Sequence, residues 1–227
     1  MCFWIPPLVA QEDSSHFQSV VIISPLLALM NQQAKDLENF GLTAQVISSE
    51  TGKEALERVR DTEVRYVYLS PEQAVKEDVV NVLVKIKRSI MLVVVDEAHS
   101  IAQSSEEFRQ EYAHLSALSQ MLGVPTMALT ATPTAEVRKA IPESLGLSQY
   151  ATVEMSLNRP EIFIEVRPTE SLSRLDASLV SEIKESPAIT LIFLQDKTKI
   201  LEHFKVLKNQ VKLKTHWQVL FCLSQES

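Results

Sequence analysis

The stretch Ile90-Met91-Leu92-Val93-Val94-Val95, followed at once by Asp96-Glu97-Ala98-His99, decides the fold. Six consecutive apolar residues, four of them β-branched, are typical of a strand that is covered on both faces, as strands in parallel sheets are. Parallel folds carry their functional side chains where the strands end, so the carboxylates after Val95 mark a candidate site. The stretch therefore predicts an α/β fold with a parallel sheet covered by helices.

Strand and helix patterns alternate along the rest of the chain, without hairpin turns between them. Short apolar runs predict further strands at residues 20–23, 44–47, 66–69 and 126–129. After Tyr150 the pattern changes, and a new helix and strand follow. We expect one α/β domain over residues 1–150, a connector over 151–170 and the beginning of a second α/β unit over 171–227.

The composition indicates a globular protein without a strongly basic surface. Hydrophobic residues make up 45% of the chain and the net charge is -7, which argues against a module that grips nucleic acid through a Lys/Arg-rich face. Cys2 and Cys222 stand at opposite ends without the paired spacing of a zinc site, so we predict no zinc and an intracellular location. No apolar run is long enough to span a bilayer, so we expect no membrane association.

Asp96-Glu97-Ala98-His99 gives the strongest chemical signal. A carboxylate at the end of a buried strand suits a magnesium ion that bridges nucleotide phosphates, because this cation prefers oxygen ligands. A second carboxylate beside it can polarise the attacking water, as in phosphate-cleaving enzymes. The alternative is a charged turn that simply ends the strand.

Three other segments follow predicted strands. Thr130-Ala131-Thr132 offers small hydroxyl side chains that can relay hydrogen bonds, or the segment can serve as an ordinary helix start capped by Thr134. Ser24-Pro25-Leu26 and Ser70-Pro71-Glu72 each predict a helix that opens at the proline with the serine as its cap. The amino end of such a helix can bind phosphate, but each segment taken alone is also accounted for as an ordinary cap.

The order of the motifs favours the functional interpretation of these segments over the structural one. In chain order the chain carries VIISPLLALM at 21–30, YLSPE at 68–72, VDEAH at 95–99, FRQEY at 108–112, ALTAT at 128–132 and NRP at 158–160. This series resembles superfamily-two helicases. The FRQEY and NRP segments resemble the RecQ family of DNA helicases specifically, and the resemblance covers Met1 to Asn209.

The resemblance implies two RecA-like lobes with ATP and magnesium between them and single-stranded DNA along their edge. It implies ATP hydrolysis coupled to three-prime-to-five-prime DNA unwinding, and the nucleus if the protein is eukaryotic. Residues 1–150 would be the first RecA-like lobe and 171–227 a partial second lobe. By position, the resemblance assigns Mg²⁺ binding through water to Asp96 and the role of general base to Glu97. It assigns coupling between the lobes to His99, Thr130 and Thr132. The residues that it assigns to DNA contacts are Ser24, Pro25, Leu26, Pro71, Glu72, Phe108 and Arg109.

The chain departs from the family at its phosphate-binding loop. The pattern G-x-x-x-x-G-K-[ST] does not occur: Gly52-Lys53 is followed by Glu54, and Ile47 stands where the first glycine belongs. The segment Cys2–Pro6 resembles the helix that follows this loop in RecQ proteins. We therefore expect the chain to begin just downstream of an ATP site.

Two further departures concern DNA sensing and catalysis. Ser104–Glu107 stands where the family usually has a tryptophan and a histidine, and the arginine-finger motif Q-x-x-R-x-x-R does not follow residue 194. We expect a helicase fragment, truncated at both ends and inactive as written; the alternative is a non-catalytic helicase-like protein that binds nucleic acid or a partner. We also expect poor solubility, because the strand at 126–129 would form an exposed edge.

Overall fold

The computed structural model describes the backbone of residues 2–13, 18–61, 64–103, 106–156, 160–162, 165, 172–185, 190–194, 201–203, 205–207, 209 and 219–223. Side chains are described over the same ranges except 11–13, 102–103, 106–113, 172–176, 190–194 and 219–223. The chain divides into two compact units, Met1–Val153 and Glu154–Ser227. The described ranges contain no helix long and apolar enough to cross a bilayer.

The first unit is built on a parallel sheet that has five strands within the described part of the chain, in the order β2-β3-β1-β4-β5. The strands are β1 Ser19–Ile23, β2 Ala44–Ile47, β3 Tyr66–Leu69, β4 Ile90–Val95 and β5 Thr126–Ala128. The predicted α/β class with a parallel sheet is confirmed. Strand β4 has the predicted bounds because its apolar run is buried along nearly its whole length. Strand β5 forms one edge of the described sheet, as predicted.

Helices connect these strands. They are α1 Pro6–Asp13, α2 Leu27–Asn39, α3 Gly52–Asp61, α4 Pro71–Ala74, α5 Glu77–Lys85, α6 Ser100–Gln103, α7 Glu106–Leu122 and α8 Ala135–Ser144. Two short 3-10 turns, Cys2–Trp4 and Lys87–Ser89, precede α1 and β4. Parallel neighbours require such crossovers, and they cover both faces of the sheet.

Alternate residues of each strand point to opposite faces of the sheet. On the front face, Val20 and Ile22 of β1 pack in one buried cluster with Phe3, Met30 and Leu37. On the back face, Val21 and Ile23 pack in a second cluster whose helical members come from each of the helices α3 to α8. The front face is therefore covered by α2 and the amino-terminal segment.

Side chains of β3 fasten the amino-terminal segment to the front face. The Tyr66 hydroxyl donates to the Trp4 carbonyl (2.7 Å), and the Trp4 indole N–H donates to the Tyr68 hydroxyl (3.1 Å). Arg65, which is buried, donates from Nη1 to the Pro7 carbonyl (2.9 Å). Burial raises the pKa of the Tyr68 hydroxyl, and the charge of Asp96 adds to this rise. These bonds hold Trp4 against β3 and Pro7 against the residue that precedes this strand.

The predicted start of α2 at Pro25 is wrong. The helix begins at Leu27, and Leu26 is its N-cap without a side-chain cap bond. The reason is that Ser24 continues the path of β1: its N–H donates to the Leu69 carbonyl (2.9 Å) of β3, and its side chain is buried. A residue that is held in the sheet is not free to cap a helix.

The two other predicted helix starts lie where expected. Ser70 is the N-cap of α4, with Pro71 in the first turn, although its side chain makes no cap bond. Thr134 caps α8 by accepting from the Val137 N–H (3.3 Å). Helix α8 then continues through Pro142 to Ser144.

In the second unit, helix α9 spans Leu172–Glu185. Residues 201–203, 205–207 and 209 are also helical. Strand β6, Thr190–Leu194, pairs in parallel with β7, Val219–Leu223, in a two-stranded sheet. The sequence predicted β6, but it gave no assignment for the tail that contains β7.

Candidate active site

The carboxyl edge of the first sheet carries a row of polar residues. Strand register aligns Ile47, Leu69, Ile23 and Val95 across β2, β3, β1 and β4. The residues that directly follow the four strands therefore lie in one row across the sheet, in the order Ser48, Ser70, Ser24 and Asp96. The backbone keeps this spacing past the strand ends, because the Asp96 N–H donates to the Ile23 carbonyl at 2.8 Å. We call these four residues the edge row.

Asp96 holds a carboxylate in a partly desolvated position. The side chain lies at the end of the buried strand β4 and accepts from the Glu97 N–H at Oδ1 (3.0 Å). Burial raises its pKa above the ordinary value, and the Glu97 N–H and the nearby His99 lower it in part. A carboxylate whose ionised form is made less favourable by burial is a common feature of functional sites. Oxygen donors of this kind are those that Mg²⁺ prefers.

Glu97 has a strained backbone. Its φ is +50°, in the left-handed region, where a residue with a Cβ pays about 1–2 kcal/mol. The flanking bonds hold it there: the Ala98 N–H donates to the Leu129 carbonyl (2.8 Å), and the Ser100 hydroxyl donates to the Glu97 carbonyl (2.7 Å). The loop after β4 is therefore tied both to β5 and to the start of α6.

Three side chains join the loops after β4 and β5. His99 Nδ1 lies 3.1 Å from Glu97 Oε2 and 3.3 Å from Thr130 Oγ1. Thr130 Oγ1 also accepts from the Thr132 N–H (3.1 Å), while the Thr132 side chain is exposed. Glu97, His99 and Thr130 thus form one cluster, which we call the loop cluster. Sequence reasoning named all three residues but not the bonds between them.

The residues predicted to contact DNA are placed unevenly. Leu26 is 49% exposed and Glu72 is also exposed, but Pro71 is buried and Ser24 is only 2% exposed. Pro25 is half-buried. A direct side-chain contact with DNA suits Leu26, Pro25 and Glu72 but not the two buried residues.

Two predicted DNA contacts cannot be placed in this way. Phe108 and Arg109 belong to α7, but their side chains fall outside the residues that the structure describes. Beside Glu72, a polar recess between the loop after β2 and the helices α4 and α5 was missed by sequence reasoning. Its lining includes Ser49, Thr51, Lys53, Gln73 and Lys76. The signal that was available is its position, since this loop also follows a parallel strand.

The residues present fit a magnesium ion only in combination with other oxygen donors. The described side chains include no group of three His, Cys, Asp or Glu residues arranged to hold a metal. Asp96 supplies one carboxylate, and Mg²⁺ usually combines one or two carboxylates with phosphate oxygens and water. The donor chemistry at Asp96 therefore fits a nucleotide-bound magnesium ion.

A helix-covered parallel sheet with acidic residues after β4 and threonines after β5 defines a RecA-like α/β domain. Solved structures agree on the fold: the chain aligns over 92% of its length with 32% of a DUF1998 helicase MrfA bound to DNA and AMPPNP, with a TM-score of 0.72 at 14% sequence identity.

Two curated relatives have higher sequence identity. An ATP-dependent DNA helicase Q-like 2 of Arabidopsis thaliana is 31% identical over 200 residues, which is 82% of this chain and 27% of the relative. The ATP-dependent DNA helicase RecQ of Bacillus subtilis (strain 168) is 29% identical over 219 residues, 93% of this chain and 35% of the relative.

The DEAD/DEAH box helicase family matches residues 1–140, and the chain belongs to this family. The predicted helicase resemblance is confirmed, with RecQ-type DNA helicases among the relatives. The chain spans 27% and 35% of the length of these two relatives.

Proposed function

We propose that this chain forms part of the motor of a RecQ-type, ATP-dependent DNA helicase that moves three-prime to five-prime on single-stranded DNA. The observation that carries the proposal is the loop cluster beside Asp96. It connects the acidic loop after β4 to the threonine loop after β5 through His99, at 3.1 and 3.3 Å. The RecQ-type relatives support the choice of DNA as the substrate.

In this proposal each residue of the site has one task. ATP with Mg²⁺ supplies the scissile phosphate and part of the charge that neutralises it. Asp96 binds the hydrated magnesium ion, and the Glu97 carboxylate accepts the proton of the attacking water. His99 holds that carboxylate in place and also contacts Thr130 of the loop after β5. A shift of that loop would therefore move His99 and, with it, the Glu97 carboxylate.

Leu26, Pro25 and Glu72 form the candidate track for single-stranded DNA on the first unit. Their half-buried or exposed side chains lie after the carboxyl ends of β1 and β3, which are neighbours in the sheet. Apolar and backbone groups on such an edge can hold a strand without reading its sequence. The proposal implies an intracellular site of action, in the nucleus if the protein is eukaryotic.

We propose that the 227 residues alone do not turn over ATP, because the pattern G-x-x-x-x-G-K-[ST] does not occur among them. The same observation favours the second candidate, a non-catalytic helicase-like protein that binds DNA or a partner. Both candidates use the same edge of the sheet, and they differ in whether Glu97 ever acts as a base.

A chimera separates the candidates. A segment with the pattern G-x-x-x-x-G-K-[ST] is joined ahead of Met1, and a second lobe with the pattern Q-x-x-R-x-x-R replaces residues 171–227, both taken from a RecQ-type relative. ATP hydrolysis is then measured with and without single-stranded DNA. The motor proposal expects turnover that Glu97→Gln lowers about 10²–10⁴-fold, as for loss of a general base. Glu50→Gln, an exposed acidic residue after β2, is the matched control.

Three results would count against the proposals. Hydrolysis by the unmodified chain, lost in Glu97→Gln, would contradict its inactivity. A folded chimera whose turnover is the same with Glu97→Gln would contradict the role of the base. Salt-dependent binding of single-stranded oligonucleotides by a chimera without turnover would favour the non-catalytic candidate.

A further inference from the structure

Ser24 is an anomaly in the edge row. It directly follows the central strand β1, it is 2% exposed, and its hydroxyl has no hydrogen-bond partner among the described residues. A buried hydroxyl without a partner is unfavourable, since it has given up its bonds to water. Such a group suggests a partner that arrives with a ligand.

Strand register places Ser24 next to Asp96. Ile23 pairs with Val95, so the two following residues are neighbours in the edge row, on strands about 4.8 Å apart. The Ser24 N–H bonds to β3 and the Asp96 N–H bonds to β1, which keeps both residues in the sheet geometry.

Both side chains belong to the front face. Ile22 and Val94 pack in the front cluster, and alternation brings Ser24 and Asp96 to the same side two residues later. A second observation, on Tyr68 of the same cluster, also indicates that Asp96 lies on the front face. Burial raises the pKa of Tyr68 and the charge of Asp96 raises it further, so the two groups lie near each other.

The burial of Ser24 does not fit a direct contact with DNA. Leu26, two residues later, is 49% exposed and is better placed for that contact. The Ser24 hydroxyl instead faces the side of the sheet on which Asp96 presents its carboxylate.

We propose that Ser24 is a positioning residue for the metal site, whose hydroxyl hydrogen-bonds to a water molecule of the magnesium ion held by Asp96. This inference rests on the proposed function, because it takes the magnesium role of Asp96 from there. Mg²⁺ keeps several of its waters when it binds protein. A metal-bound water donates hydrogen bonds, and a serine hydroxyl can accept one while still offering its own proton. Such outer partners orient the groups that bind the metal directly.

The test uses terbium luminescence on the full 227-residue chain, with pyrophosphate present to supply the phosphate oxygens that complete the coordination of a metal ion at Asp96. Tb³⁺ prefers hard oxygen ligands and is excited through nearby aromatic rings, here Tyr68 and Trp4 on the front face. We expect a saturable signal that Asp96→Asn removes. Ser24→Ala should weaken the affinity about three- to tenfold, the value of one hydrogen bond, and Ser24→Thr should restore it. Ser70→Ala, in the same row but on the far side of Ser24 from Asp96, should leave it unchanged.

Melting temperature without metal gives the second readout. Ser24→Ala should raise it, because alanine removes a buried hydroxyl that has no partner. A hydroxyl that serves only the fold predicts the opposite sign, a lower melting temperature.

The outcomes separate this inference from the proposed function. If Asp96→Asn removes the signal and Ser24→Ala binds Tb³⁺ as tightly as the wild type, the inference is wrong and the role of Asp96 stands. A lower melting temperature in Ser24→Ala also overturns it. If no signal depends on Asp96, the magnesium role fails and the inference fails with it.

Discussion

Replacing Glu97 by glycine and by alanine tests the left-handed backbone at the centre of the site. Both variants lose the carboxylate and its contact with His99, so their difference reports the backbone alone. At an ordinary position glycine is less stable than alanine by roughly 0.5–1 kcal/mol, because it has more freedom to lose. At φ +50° the alanine Cβ adds about 1–2 kcal/mol of strain that glycine avoids.

The two effects have opposite signs, and the strain is larger. We expect Glu97→Gly to be more stable than Glu97→Ala by roughly 0.5–1 kcal/mol. Glu57 is the matched control, an exposed residue inside α3, where alanine should instead be favoured by about 1 kcal/mol. The inversion between the two sites is the expected result.

Urea denaturation followed by tryptophan fluorescence measures this difference. The chain has two tryptophans, and Trp217→Phe leaves Trp4, which is bonded to β3, as the reporter for the first unit. An alanine variant at Glu97 that is as stable as the glycine variant, or more so, would refute the left-handed conformation and the strain assigned to it.

Three further predictions concern the first unit. Asp96→Asn should stabilise the fold at neutral pH and lose that advantage in acid, which thermal melts at several pH values would measure. The reason is that the pKa of Asp96 in the folded state lies above its ordinary value of 3.8. The stability of the wild type therefore falls as the pH rises from 3.8 through the pKa of the folded state. Equal pH dependence of both proteins would contradict this. Tyr66→Phe removes the 2.7 Å bond to the Trp4 carbonyl and should cost about 1 kcal/mol in urea denaturation, with a shift in Trp4 emission; unchanged emission would mean that the segment is held by other contacts. Gly146→Ala should lower the free energy of unfolding by about 1–2 kcal/mol, since its φ is +64° and the new Cβ would lie 2.6 Å from Ser116 Oγ. The control is Gly52→Ala, whose new Cβ meets open space and should be tolerated.

The sequence was sufficient for the elements whose signal is local. The run from Ile90 to Val95 predicted a buried strand because every residue in it is apolar, and the structure buries it on both faces. The position of the acidic and threonine motifs after strands also followed, since a parallel fold places all such loops at one edge. The fold class therefore depended on patterns within short windows, and the family depended on the order of short motifs along the chain.

What the sequence could not supply depends on pairing between distant segments. Ser24 appeared to be a helix cap because its neighbours in sequence are Pro25 and Leu26, but its bond to Leu69 in the neighbouring strand decides its conformation. The left-handed φ of Glu97 arises in the same way, from the bonds that tie its loop to β5 and α6. Neither effect has a local signal that distinguishes it from an ordinary cap or turn.

The sheet order also has a consequence for how the first unit folds. Its central strand β1 pairs on one side with β4, whose residues lie roughly 70 positions later in the chain, and such distant pairings make folding slow. During synthesis β1 leaves the ribosome before β4, so the edge that pairs with β4 stays open until β4 has been made. We therefore expect the growing chain to depend on chaperones until Ile90–Val95 emerges, and to be most vulnerable to misassembly just before that point.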